Sequence, residues 1–164
     1  MSVDLVIRSD SGDVSIAILR DKVLTELHRD KSNTDFSVGD LYLGKVRKVV
    51  PSLNAAFVDV GYEKDAFLHY LDLGPQYNSF NTYTKGVLTK RVNSGELAKV
   101  KFEPEIEKSG KINQVISGGQ HILVQIAKEP ISTKGPRLTA ELTLAGRYIV
   151  LVPFSTKISI SSRI

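Results

Sequence analysis

GDLYLGKVRKVVPSLNAAFVDVGYEKDAFLHYLDL, residues 39–73, contains three apolar runs separated by two compact turns. LYLGKVRKVV (41–50) reads as a strand closed by the turn Pro51-Ser52-Leu53-Asn54. AAFVDVG (55–61) and AFLHYL (66–71) follow, joined by the charged turn Tyr62-Glu63-Lys64-Asp65. Side chains alternate across a strand, so Ala56, Val58 and Val60 share one face and Ala55, Phe57 and Asp59 the other. In the next run Ala66, Leu68 and Tyr70 alternate against Phe67, His69 and Leu71.

With the Val58 and Leu68 faces lining a core, Phe57, Phe67 and His69 are turned outward. Exposed aromatics on neighbouring strands cost solubility, but they stack nucleic-acid bases, and oligonucleotide-binding (OB) barrels use their second and third strands for this. An inverted assignment, with the phenylalanines inside, fits the pattern equally, because phenylalanine is ordinarily a core residue. Both readings stay open at the level of sequence. Cations surround this face: Lys45, Arg47 and Lys48 on the first strand, and Lys128, Lys134 and Arg137 around the loop KEPISTKGPR (128–137). Their length and charge suit the phosphates of a single strand.

Working outward, residues 3–28 read as a three-stranded meander, with Val3, Leu5 and Ile7, then Val14, Ile16 and Ile18, then VLTELH (23–28). A ribbon of that size is marginal alone and its edges recruit other strands, so it is expected to fray or to form a strand-exchange or dimer contact. The polar stretch 30–40 reads as a boundary. Residues 74–119 break the strand pattern, with weak helical signals at 80–88 and 111–116. That stretch is expected to be a mobile, partly helical insertion, replaceable by a short linker because long loops close at small entropic cost. HILVQIA (121–127) is a strand. LTAELTLAGRYIVLVP (138–153) is one long strand or two joined near Gly146, and KISISSRI (157–164) still alternates before the chain stops. Gly118-Gly119 and Gly135-Pro136 read as turns.

The 164 residues carry a net charge of +4 and no cysteine, which excludes disulfides and cysteine-ligated zinc. No apolar run approaches the roughly 20 residues of a membrane-spanning helix, and the start lacks the apolar core of a signal peptide, so a cytoplasmic protein without a membrane partner is expected. His28, His69 and His121 are scattered without metal-ligand spacing, and no nucleophile-elbow or phosphate-loop motif occurs. Asp59, Glu63 and Asp65 read as a solvated turn. No catalytic residue, metal site, cofactor or small-molecule substrate is expected within this chain.

Residues 39–73 resemble the opening of the RNA-binding barrel of ribosomal small-subunit protein one, in the variant embedded in RNase E/G endoribonucleases. LVQIAKEPISTKGPRLTAELTLAGRYIVLVP (123–153) is similar to that family's continuation, and the N-terminal strands fit its RNase H-like subdomain. The resemblance implies a mainly β chain: residues 1–35 as RNase H-like strands, 36–139 as a five-stranded OB barrel with an insertion at about 74–119, and 140–164 as the truncated start of a 5′-sensing region. It implies single-stranded RNA as partner, stacking on Phe57 and Phe67, basic contacts from Lys128 and Lys134, and part of a 5′-monophosphate pocket at Gly146 and Val150. A family arginine expected just before Arg163 is Ser162 here. The family's magnesium-binding aspartates and zinc-link cysteines are absent, so magnesium-dependent cleavage is expected of the parent endoribonuclease and not of this chain. The alternatives are a translation or ribosome-associated RNA-binding factor, or a barrel whose phenylalanines meet a protein.

Overall fold

A computed structural model describes residues 2–10, 13–31, 36–92 and 100–161. The chain divides into two compact units, Met1–Asp35 and Phe36–Ile164.

The first unit is an antiparallel sheet of β1 (Val3–Ser9), β2 (Asp13–Arg20) and β3 (Val23–Lys31), with β2 in the centre. Asp21 and Lys22 both take positive φ (47° and 67°), the backbone of a primed two-residue hairpin turn whose twist matches the strands it joins. No described residue of this unit is fully buried. Leu5 and Ile7 lie exposed on one face, and Val6 and Leu27 on the other.

The second unit is a closed barrel built from β4 (Leu41–Val50), β5 (Ala55–Asp59), β6 (Ala66–His69), β7 (His121–Lys128) and β8 (Arg137–Thr139). The strands run around it in the order β4-β5-β6-β8-β7, with β7 returning to β4. All pairings are antiparallel except β6 with β8, which is parallel. Closure removes the sheet edges that an open ribbon would leave. The interior holds Val46, Val58, Ala66, Leu68, Ile122, Val124, Ile126 and Leu138, the inward residues that strand alternation selects. Ala55, which alternation puts on the outer face, is buried as well.

Residues 74–119 correct the expectation of a dispensable insertion. They contain α1 (Tyr77–Leu88) and α2 (Ile112–Val115), and Tyr77, Ile112 and Ile116 are part of the main core. The apolar positions are too far apart in sequence to form a periodic face, but the fold collects them in one core with the barrel's inward residues. Asn54 fastens this cover. Its Nδ2 donates to the Gly110 carbonyl at 3.2 Å, and its Oδ1 accepts the Ile112 N–H at 2.7 Å. Tyr70 Oη donates to the Glu107 carbonyl at 2.6 Å.

Burial pushes the Tyr77 phenol far above its ordinary 10.0, against the opposing hydrogen bond from Gln120. The unfolded chain therefore loses this proton near pH 10 while the folded chain keeps it. Stability is full below that pH and falls as pH rises beyond it. Tyr77→Phe is expected to abolish that part of the alkaline loss, read as melting temperature against pH. At neutral pH it costs about 1 kcal/mol for the bond donated by Gln120 Nε2 at 3.2 Å.

The stretch after β8 is less regular than its alternation suggests. It forms two strands joined from Gly146, as one of the two readings has it, but each is only two residues long: β9 (Leu144–Ala145) and β10 (Val150–Leu151). Residues 157–161 are irregular, with Ile158 and Ile160 exposed. Between them, Phe154 is 6% exposed and packs edge-on against Phe80, Tyr83 and Phe102 in a satellite cluster. Buried Gln125 ties the hairpin's approach to the barrel: its Nε2 donates to the Gly39 and Thr143 carbonyls, and its Oε1 accepts the Thr143 N–H.

Candidate nucleic-acid interface

Strand register builds one outward row across all five barrel strands. Lys48 on β4 faces Phe57 on β5, Phe57 faces Phe67 on β6, Phe67 pairs with Arg137 on β8, and Arg137 faces Lys128 on β7. The two phenylalanines are half-buried and the three cations exposed. Both ends of the row depend on a β-bulge. Val46 pairs with Val58, yet Lys48 pairs with Phe57, so Arg47 is the extra residue. Ile126 pairs with Leu138, yet Lys128 pairs with Arg137, so Ala127 is extra. Strict alternation from Val46 and Ile126 would send Lys48 and Lys128 inward, and the bulges turn them out.

The Phe57 and Phe67 rings meet edge-on at 5.8 Å between centroids. His69 continues β6, its ring 6.5 Å from that of Phe67. Its Nδ1 accepts the Leu71 N–H at 3.1 Å, capping the short 3-10 turn Tyr70–Asp72. In the neutral ring this leaves Nε2 as the donor.

The cations fall into two groups. Arg47 pairs with Asp59 at 2.6 Å, and Arg137 grips both carboxylate oxygens of Asp72. Lys45, Lys48, Lys128 and Lys134 form no ion pair among the described residues. Lys45 lies off the row, opposite Asp59 and His121, and Lys134 sits on the turn bridged to Ile131. Asp59 is more than a solvated turn residue. The Gly61 N–H on its Oδ1 holds its carboxyl below the usual range, with Arg47 and Lys45 adding to this against partial burial. Sequence reasoning missed Asp72, which has no motif and lies 65 residues from its partner.

Gly135-Pro136 is a close approach of backbones and not a turn. A Cβ at Gly135 would lie 2.4 Å from the Asp65 carbonyl oxygen and 2.8 Å from that of Lys64. The Pro136 carbonyl accepts the Phe67 N–H at 2.9 Å. Neither backbone oxygen can rotate away. Gly135→Ala is expected to strain the β6–β8 seam and cost roughly 1–3 kcal/mol in a thermal melt; an unchanged melt would show that the loop moves freely.

Gly146 and Val150 share the exposed β9–β10 hairpin, where the Gly146 N–H donates to the Ile149 carbonyl at 2.8 Å. Ser162 and Arg163 lie outside the described residues. Among the described residues no three acidic, histidine or cysteine side chains gather closely enough to hold a metal ion. No described helix is long and apolar enough to cross a membrane.

A closed five-stranded barrel of the OB type, with paired aromatics on its second and third strands, defines the structural class. No protein-family model matches the chain. It is 32% identical to ribonuclease G of Haemophilus influenzae over 163 residues, 99% of this chain and 29% of that protein. Ribonuclease E of Synechocystis sp. is 38% identical over 128 residues, 77% of this chain and 15% of that protein. A ribonuclease E/G-like protein of Porphyra purpurea is 40% identical over 134 residues, 81% of this chain and 21% of that protein. The chain belongs to the ribonuclease E/G family, and spans about three tenths of the length of the ribonuclease G relatives it matches.

Proposed function

We propose that the barrel holds single-stranded RNA, with bases on Phe57 and Phe67 and phosphates on Lys48, Lys128 and Lys134. The observation that carries this reading is the outward row Lys48–Phe57–Phe67–Arg137–Lys128, an aromatic centre between cationic ends. Aromatic faces tolerate any base and lysines follow the backbone, the combination that single-strand binding requires. His69, Lys45, Arg47 and Arg137 flank the path.

In the whole protein, residues 36–139 serve as the substrate-holding part of a cytoplasmic, magnesium-dependent endoribonuclease in RNA decay or ribosomal RNA processing, with the metal held outside this chain. Residues 140–164 begin its 5′-sensing region, with Gly146 and Val150 in the pocket. Residues 1–35 are RNase H-like strands. The exposed Leu5, Val6, Ile7 and Leu27 support a strand-exchange or dimer contact through them, which sedimentation across a concentration series would detect.

The test is titration of the chain with single-stranded RNA across a salt series. Counterion release makes log K fall with log salt at about 0.7 per neutralised phosphate. A slope of two or more such contacts is expected, and Lys134→Ala should flatten it by about one contact for every RNA sequence. Binding indifferent to salt would favour a protein partner and overturn the reading.

A further inference from the structure

Arg137 stands in the row beside Phe67, yet its chemistry differs from that of the lysines. Its Nε and one terminal nitrogen are spent on Asp72, in three contacts of 3.0, 3.1 and 2.8 Å. Asp72 is itself anchored, because its backbone carbonyl accepts the Thr139 hydroxyl at 2.9 Å and the Ala140 N–H at 2.8 Å. The carboxylate therefore offsets the guanidinium's charge and holds its plane in one orientation. The Arg137 side chain nevertheless remains 45% exposed. A cation meant for phosphate would keep its N–H groups free, as Lys128 and Lys134 do among the described residues. What Arg137 still offers is a flat face and the N–H groups of its other terminal nitrogen.

Phe57, Phe67 and Arg137 occupy register positions on three consecutive strands, β5, β6 and β8, about 4.8 Å apart from strand to strand. Single-stranded RNA bases stack on guanidinium planes as well as on aromatic rings. Arg47, the other arginine paired on the barrel strands, is the extra residue of the β4 bulge and has no partner in the row. We propose that Arg137, held flat by Asp72, is the third stacking platform of the barrel, so that the site takes three successive bases and Asp72 is its positioning residue. This rests on the reading that Phe57 and Phe67 stack bases.

The 164-residue chain would be titrated with oligoadenylates of two, three, four and six nucleotides lacking terminal phosphates, by calorimetry and, for the shortest, NMR shift titration. Wild-type affinity should step up between two and three nucleotides. Arg137→Lys keeps the charge and a contact to Asp72 but loses the plane. It should bind the dinucleotide as wild type does and lose roughly 5- to 100-fold in the third step, with an unchanged salt slope. Asp72→Asn releases the guanidinium, so the third step should shrink while the salt slope steepens by about 0.7. Thermal melts of each variant accompany the titrations.

Arg137→Lys tracking the wild type at every length, with any change confined to the melt, would make the ion pair a structural clip and overturn the proposal. A salt slope flattened by about 0.7 in Arg137→Gln would make Arg137 a phosphate contact and overturn it too. Undiminished binding by the Phe57→Ala/Phe67→Ala variant overturns the underlying reading and this proposal together, whereas an unaffected Arg137→Lys overturns this proposal alone.

Discussion

Replacing residues 74–119 with a short glycine-serine linker is expected to abolish cooperative folding of the barrel. Closing a loop of that length is cheap in entropy, so connectivity is not the issue. The loss comes from the core. Tyr77, Ile112 and Ile116 pack with Leu68, Ile122 and Val124 in one cluster, and Ile112 is completely buried. Truncating one such isoleucine to alanine costs about 2–5 kcal/mol, and total stability for a domain is only about 5–15 kcal/mol. Deletion removes three of these side chains and leaves the hydrogen-bonding groups of Asn54 and Tyr70 without their partners. Circular dichroism melts should show a sharp transition in the wild type, a lower but still sharp one in Ile112→Ala, and none in the deletion. A deletion variant with an undiminished cooperative melt would mean that the barrel closes without its cover.

Changing both Phe57 and Phe67 to alanine is expected to lower single-stranded RNA affinity by about 1–3 kcal/mol for each base that loses its platform. The fold should persist. Both rings are half-buried on the face opposite Val58 and Leu68, which are wholly inside. Their edge-on contact is worth roughly 0.5–1.5 kcal/mol beyond buried area, well below the cost of emptying a core position. Melting and RNA titration on the same double variant separate the possibilities. A folded variant with full affinity defeats the stacking role, and an unfolded one shows that the rings hold the barrel together.

Much of the barrel was legible from residues 39–73, because a half-buried strand must alternate and the turns between these runs are short. That rule sorted Val58 from Phe57 and Leu68 from Phe67 onto opposite faces, and the packing of the barrel then decided that Val58 and Leu68 lie inside. The same rule fails at Lys48 and Lys128. A bulge inserts one residue and reverses the alternation, and it arises from pairing with a partner strand that single-strand periodicity does not contain. Residues 74–119 resisted reading for a related reason. Tyr77 and Ile112 lie 35 positions apart, so no local period links them, and only chain closure makes them neighbours in one core.

What the sequence determined by itself was the strand order of the meander, the runs that form the barrel, the sorting of its phenylalanines and aliphatic residues onto opposite strand faces and the supply of cations around them. These are local consequences of side-chain alternation, turn chemistry and charge. The tertiary structure decided that the phenylalanines turn outward, which cations stand in one row with them, that Gly135 lets two backbones touch, and that Asp72 pairs with Arg137. Each depends on residues distant along the chain being brought within hydrogen-bond or van der Waals range, and only closure of the barrel achieves that.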